Sequence, residues 1–252
     1  LALSVLAVCV AALLPASARA AATAATPAKP NVIFIFADDL GYGDVGCYGA
    51  KDIRTPNIDR LAAEGSRFTS FYVAQSVCTA SRAALMTGSY PNRVGMSGAL
   101  NHTSPTGLHL REKTLGQVFK DQGYATAMFG KWHLGHHVAY LPTRRGFDEW
   151  LGIPYSNDNG PLHPVTKGIP SLPLFDGADV VEVDPDQSQF TARFTARAVA
   201  FIERNRDQPF FLYLPHVMPH VPIFASPKFR GTSGRGLYGD VVQELDWGVG
   251  EI

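Results

Sequence analysis

Asn31-Val32-Ile33-Phe34-Ile35-Phe36-Ala37-Asp38-Asp39 is the stretch that decides the fold. After Asn31 come six residues, Val32 to Ala37, in a continuous run of apolar, β-branched and aromatic side chains. Such a run predicts a strand buried on both faces, as in a parallel sheet covered by helices. It ends in two adjacent acids and Leu40-Gly41-Tyr42-Gly43-Asp44. In open α/β sheets the ligand crevice lies at the carboxyl ends of the strands. Two carboxylates there need hydrogen bonds, positive charge or a metal, and hard oxygen ligands suit Ca²⁺ or Mg²⁺. The residues alone leave a second reading open, in which one acid caps a turn and the other is solvated.

Working outward, Thr55-Pro56-Asn57 predicts a helix start, with Thr55 as cap and Pro56 in the first turn. Gly65 ends that helix, and Arg67 to Val73 reads as a short strand leading to Cys78. Glu112 to Gln122 predicts a helix closed by Gly123, and Tyr124 to Phe129 the strand after it. This strand–helix–strand rhythm argues a βαβ layout. His136 to Gln189 has many Gly, Pro and Asp residues and little periodicity, so it reads as binding loops, with Arg144 to Trp150 as a lid or supporting turn. Phe190 to Arg204 is amphipathic, with Phe190, Phe194, Ala198, Phe201 and Ile202 on one side. Pro209 to Leu214 is a second buried strand, and it delivers Pro215-His216-Val217-Met218-Pro219-His220. Leu237 to Trp247 closes the pattern as a helix.

Cys78-Thr79-Ala80-Ser81-Arg82 precedes a small-residue run at a predicted helix start, flanked by possible caps at Ser76, Thr79 and Ser81. A helix N-terminus offers unpaired N–H groups and a field that favours an anion. Arg82 falls one turn beyond Cys78 on the same face. Taken singly, Cys78 reads first as a small buried hydrophobe.

Together these segments resemble the type I sulfatase family. Its first signature, Cys or Ser, any residue, Pro or Ala, any residue, Arg, is matched from Cys78 to Arg82. Its second is matched by Gly123-Tyr124 through Gly130-Lys131-Trp132-His133-Leu134-Gly135, and the Asp38-Asp39 opening is similar too. The resemblance implies an alkaline-phosphatase-like α/β fold with a mostly parallel or mixed central sheet and helices on both faces. It also implies hydrolysis of sulfate monoesters, with Cys78 oxidised by a maturation enzyme to formylglycine. Asp38, Asp39 and residue 78 would bind Ca²⁺. Arg82 would orient the nucleophile, Lys131 would bridge it to the sulfate, His133 would take up a proton, and His220 would hold the sulfate. His216 is a further histidine for supporting or substrate contact. The substrate class implied is an aryl sulfate or a sulfated glycan. A phosphonate or phosphate ester hydrolase of the same superfamily and a silent sulfated-glycan binder are the competing readings.

Composition bounds the rest. The chain has 252 residues, 22 Lys+Arg against 22 Asp+Glu, and 46% apolar residues. Formal neutrality without a basic stripe argues against nucleic acid as a partner. Leu1 to Ala20 is apolar and ends in Ala18-Arg19-Ala20, which reads as a signal peptide with an incomplete n-region and predicts export to the periplasm or medium. No stop-transfer pattern comes after it, so no membrane span is expected. Residues 21–30 read as a flexible linker and 31–252 as the N-terminal part of the catalytic domain, ending before the family's late metal ligands. With Cys9 in the leader, Cys47 and Cys78 remain, and no disulfide framework is implied.

Overall fold

A computed structural model describes residues 29–252, so the leader and nearly all of the expected linker lie outside the described residues. Six strands form one sheet: β1 (Val32–Phe36), β2 (Ala125–Phe129), β3 (Glu149–Gly152), β4 (Pro173–Asp176), β5 (Asp179–Val183) and β6 (Phe210–Pro215), in the order β1-β6-β2-β3-β4-β5. The pairs β1–β6, β6–β2 and β2–β3 are parallel, and β4 and β5 add an antiparallel end. The sheet is therefore mixed, with a parallel half that carries the apolar runs.

The alternation of side chains across the pleat divides two cores between the sheet faces. Ala127, Phe129, Leu212 and Leu214 point to one face, where they pack with Phe194, Ala198 and Phe201 of α4 (Phe190–Asn205) and with Val241 and Leu245 of α5 (Gly236–Glu251). Met128, Phe211 and Tyr213 point to the other. They meet Ala83 and Met86 of α2 (Cys78–Thr87) and Leu115 and Phe119 of α3 (Leu115–Asp121). Phe119 stacks on Phe211 with ring centroids 4.2 Å apart. Helices thus cover both faces.

Several expectations are corrected. β1 is not buried on both faces: it is the edge strand among the described residues, and Ile33 is 37% exposed. Arg67 to Val73 is not a strand, because among the described residues no strand lies beside it. It is an exposed loop held by the phenols of Tyr42 and Tyr48, which donate to Phe71 O (2.6 Å) and Phe68 O (2.7 Å). Thr55 does not cap α1 (Pro56–Glu64). Its hydroxyl accepts from Gly46 N instead, and Asp246 of α5 reaches across to take the N–H groups of Asn57 (3.0 Å) and Ile58 (2.8 Å). None of Ser76, Thr79 or Ser81 caps α2. The helix predicted from Glu112 begins at Leu115, behind a capping box of Thr114 and Gln117. The stretch read wholly as loops, His136 to Gln189, contains β3, β4 and β5. Arg145 supports rather than covers: it is buried, and its guanidinium donates to the carbonyls of Leu110 and Glu112.

His216, just past the end of β6, is fully buried, and neither ring nitrogen has a hydrogen-bond partner among the described residues. Burial pushes its imidazole down from 6.5 to about 4. The unfolded chain binds a proton near pH 6.5 that the folded chain refuses until about pH 4, so this contribution is complete above pH 6.5 and is lost as pH falls through that window. The loss amounts to about 3 kcal/mol. His216→Leu should flatten that part of the stability–pH profile in urea denaturation; a profile unchanged by the substitution would contradict the assignment.

Candidate active site

All four parallel strands deliver polar residues from their carboxyl ends. Asp38 and Asp39 come after β1, Lys131 and His133 after β2, Ser156 after β3, and His220 after β6. Lys131, Trp132 and His133 continue the sheet past β2: their N–H groups donate to Pro215 O, Ile153 O and Pro154 O at 2.9, 3.0 and 3.1 Å. Gly130 makes this approach possible, since a Cβ there would lie 2.0 Å from Pro215 O and φ is +132°. Asp39 and His133 both sit in the left-handed region, at φ 64° and 60°. Such strain in non-glycine residues costs of order 1–3 kcal/mol and clusters at functional sites.

The centre is the buried carboxylate of Asp38. Its Oδ2 lies 2.5 Å from Lys131 Nζ and 3.4 Å from Arg82 Nη2. Burial pushes this carboxyl up, but Arg82 and Lys131 outweigh burial and hold it down at about 2. Arg82 is fixed further by donating Nη1 to Lys131 O (2.9 Å) and by lying 5.3 Å from the Phe36 ring centroid. Burial alone would lower the Arg82 pKa, yet Asp38 brings it out raised. Two buried cations thus share one carboxylate, leaving an excess positive charge suited to an anion.

Cys78 is the first residue of α2, half-buried and a free thiol. It lies one turn before Arg82 in the same helix. Thr79 ties this helix to the β2 extension, donating to His133 O (2.9 Å) and accepting from Leu100 N (3.1 Å). His133 Nε2 lies 2.7 Å from Leu100 O. A carbonyl only accepts, so Nε2 carries the hydrogen and Nδ1 keeps its lone pair. That Nδ1 is buried without a partner among the described residues. Burial, and then Lys131, hold the imidazole neutral, well below its usual range.

His220 sits at the rim, with Nδ1 2.6 Å from Val221 O and Nε2 3.8 Å from Asp39 Oδ2. Nothing in the sequence singles out Ser156. Its hydroxyl accepts from Lys131 Nζ (2.9 Å) and lies 3.4 Å from His220 Nδ1, linking the two. A lone serine in Pro154-Tyr155-Ser156-Asn157 carries no local signal; only the β2–β3 adjacency reveals it. His216 does not join this network.

The donor chemistry fits part of a hard-cation shell. The contacts to Asp38 fall on Oδ2, which leaves Oδ1 without a donor among the described residues, and the neighbouring Asp39 carboxylate is 64% exposed. Ca²⁺ takes six to eight oxygens, and among the described residues no group of three or more His, Cys, Asp or Glu is arranged to hold a metal. Arg82 Nε and Nη2 also have no hydrogen-bond partner among them. No helix among the described residues is long and apolar enough to cross a membrane.

An α/β sheet with a cationic cluster at its strand ends suits an anionic ligand, and comparison with known proteins gives the family. The Sulfatase family model matches residues 30–252. Human arylsulfatase A is 44% identical over 250 residues, covering 92% of this chain and 49% of that protein. Pig N-acetylgalactosamine-6-sulfatase is 40% identical over 256 residues, covering 95% and 49%. The crystal structure of the PsFucS1 sulfatase from Pseudoalteromonas sp. superposes with a TM-score of 0.75 at 30% identity, covering 88% of this chain and 51% of that one. The chain belongs to the sulfatase family. It spans about half the length of the curated relatives it matches.

The shared carboxylate generates a test. Removing one partner of a buried ion pair costs about 3–5 kcal/mol because the other charge is left uncompensated. Asp38→Asn, which leaves Lys131 and Arg82 buried without their shared counter-charge, should therefore destabilise the fold strongly in urea titrations, and adding Arg82→Met should recover part of the loss. Additive effects of the two substitutions would show that the pair is not coupled.

Proposed function

We propose that this chain carries the nucleophile half of a sulfate monoester hydrolase. The observation that supports the reading best is the single buried cluster of Asp38, Lys131 and Arg82 beside Cys78, formed by the segments that match the family. In this reading residue 78, oxidised by a maturation enzyme to formylglycine and hydrated, supplies an oxygen nucleophile and a covalent route that splits one hard displacement into two easier steps. Bound Ca²⁺, held by Asp38, Asp39 and residue 78, would supply Lewis-acid charge at the sulfate oxygens.

The chain's other residues have assignable roles. Lys131 and Arg82 present fixed positive charge where negative charge grows in the transition state. His133, neutral and with Nδ1 unpaired, is the base for the remaining hydroxyl of residue 78. His220 holds a sulfate oxygen at the rim, and Ser156 couples it to Lys131 so that both keep their geometry. The substrate class is an aryl sulfate or a sulfated carbohydrate, the latter in keeping with the name of the N-acetylgalactosamine-6-sulfatase relative. The apolar leader supports export to the periplasm or medium.

Full-length protein from its native host should release sulfate from methylumbelliferyl sulfate faster than phosphate from the matching phosphate ester. Cys78→Ala should abolish the release while the protein stays folded, and Lys131→Ala should lower kcat by about 100-fold. Full activity of folded Cys78→Ala would exclude residue 78 as nucleophile, and preference for the phosphate ester would make the protein a phosphoryl hydrolase.

A further inference from the structure

Three segments that hold the catalytic cluster converge again a few residues further on. Leu100, which holds His133, lies two residues before His102. His133 lies three residues before His136. Ser156 lies two and three residues before Asp158 and Asn159. His102 meets Asn159 through two contacts, its backbone N donating to Oδ1 (3.2 Å) and its Nδ1 lying 3.2 Å from the same oxygen. Asn159 in turn donates Nδ2 to Asp158 Oδ1 at 3.0 Å. His136 packs edge-on against buried Tyr155, with centroids 5.6 Å apart, and against His137 at 4.4 Å. His102, His136, Asp158 and Asn159 are all half-buried, so the cluster is shaped but open.

The hydrogen-bond directions define what it can bind. Asn159 Oδ1 accepts, so His102 Nδ1 carries the hydrogen and Nε2 offers a lone pair. Asp158 keeps acceptor capacity beyond its one bond to Asn159. Burial, then His137 and His102, lowers the His136 pKa, so that ring is neutral. Among the described residues, none of the hydrogen bonds or ion pairs of these four involves a Lys or Arg. Imidazoles with no Lys or Arg beside them, a carboxylate and flat rings are unsuited to a second sulfate, but they match the alternating hydroxyls and apolar faces of a sugar. Two to three residues of chain span at most roughly 7–10 Å, so the cluster lies within about one pyranose of the catalytic residues.

We propose that His102, His136, Asp158 and Asn159 form a subsite for the hydroxyl groups of the sugar ring that carries the sulfate, and so determine specificity for a carbohydrate over an aryl ester. This deepens, and rests on, the sulfate-ester reading above. Buried polar groups built to pair with hydroxyls discriminate strongly against ligands that lack them.

The test uses full-length protein from its native host, methylumbelliferyl sulfate, and a set of monosulfated hexoses and N-acetylhexosamines. The unsubstituted protein should hydrolyse the aryl ester and at least one sugar sulfate. In His102→Ala, Asn159→Ala and the milder Asp158→Asn, the ratio of kcat/KM for that sugar sulfate to kcat/KM for the aryl ester should fall by roughly 10-fold or more, carried mainly by KM for the sugar. Aryl turnover serves as the check on folding. An unchanged ratio overturns the subsite, as does hydrolysis of the aryl ester with no sugar sulfate accepted; both leave the sulfate-ester reading standing. Release of sulfate from no ester at all overturns both.

Discussion

One carboxylate oxygen, Asp38 Oδ2, holds the site together. It receives Lys131 from the end of β2 and Arg82 from α2, two cations that would repel each other without it. The two are almost fully buried, and isolated charges at such depth cost several kcal/mol each. Asp38 offsets that cost and joins three segments that are distant in sequence. Its own carboxyl stays ionised because the two cations outweigh burial. The cluster is incomplete in charge: one positive unit is left for a ligand, and among the described residues three buried nitrogens on Arg82 and His133 accept or donate no hydrogen bond.

The parallel half of the sheet explains why these residues meet. Parallel strands point their carboxyl ends to the same edge, so the segments leaving β1, β2, β3 and β6 are gathered there without any local code. Gly130 lets the β2 extension run against Pro215 at backbone distance. That extension turns His133 into the left-handed region, where Leu100 O fixes its tautomer and leaves Nδ1 free. Positioning, tautomer and neutral charge therefore have one cause: the continuation of the sheet beyond its last regular strand residue.

The parts of the fold legible in the sequence are those with continuous local patterns. Val32 to Ala37 and Pro209 to Leu214 announce β1 and β6 by unbroken apolar runs, and Phe190 to Arg204 announces α4 by its stripe. The two signatures single out Arg82 and Lys131, whose side chains both lie against Asp38 Oδ2. The failures are nonlocal. Arg67 to Val73 has strand composition but no neighbour to pair with among the described residues, and β3, β4 and β5 have few residues of apolar run yet are held by their neighbours. Thr55 looks like a cap, but Gly46 captures its hydroxyl and Asp246, from the far end of the chain, takes over α1. Ser156 gains its role only from strand order.

The proposed chemistry depends on residue 78 being an electrophile that becomes a nucleophile when hydrated. The most direct measurement is the mass of the peptide containing residue 78, taken from protein purified from its native host. The mass change of a thiol side chain converted to an aldehyde is the predicted result. An unmodified thiol in protein that nevertheless releases sulfate would contradict it.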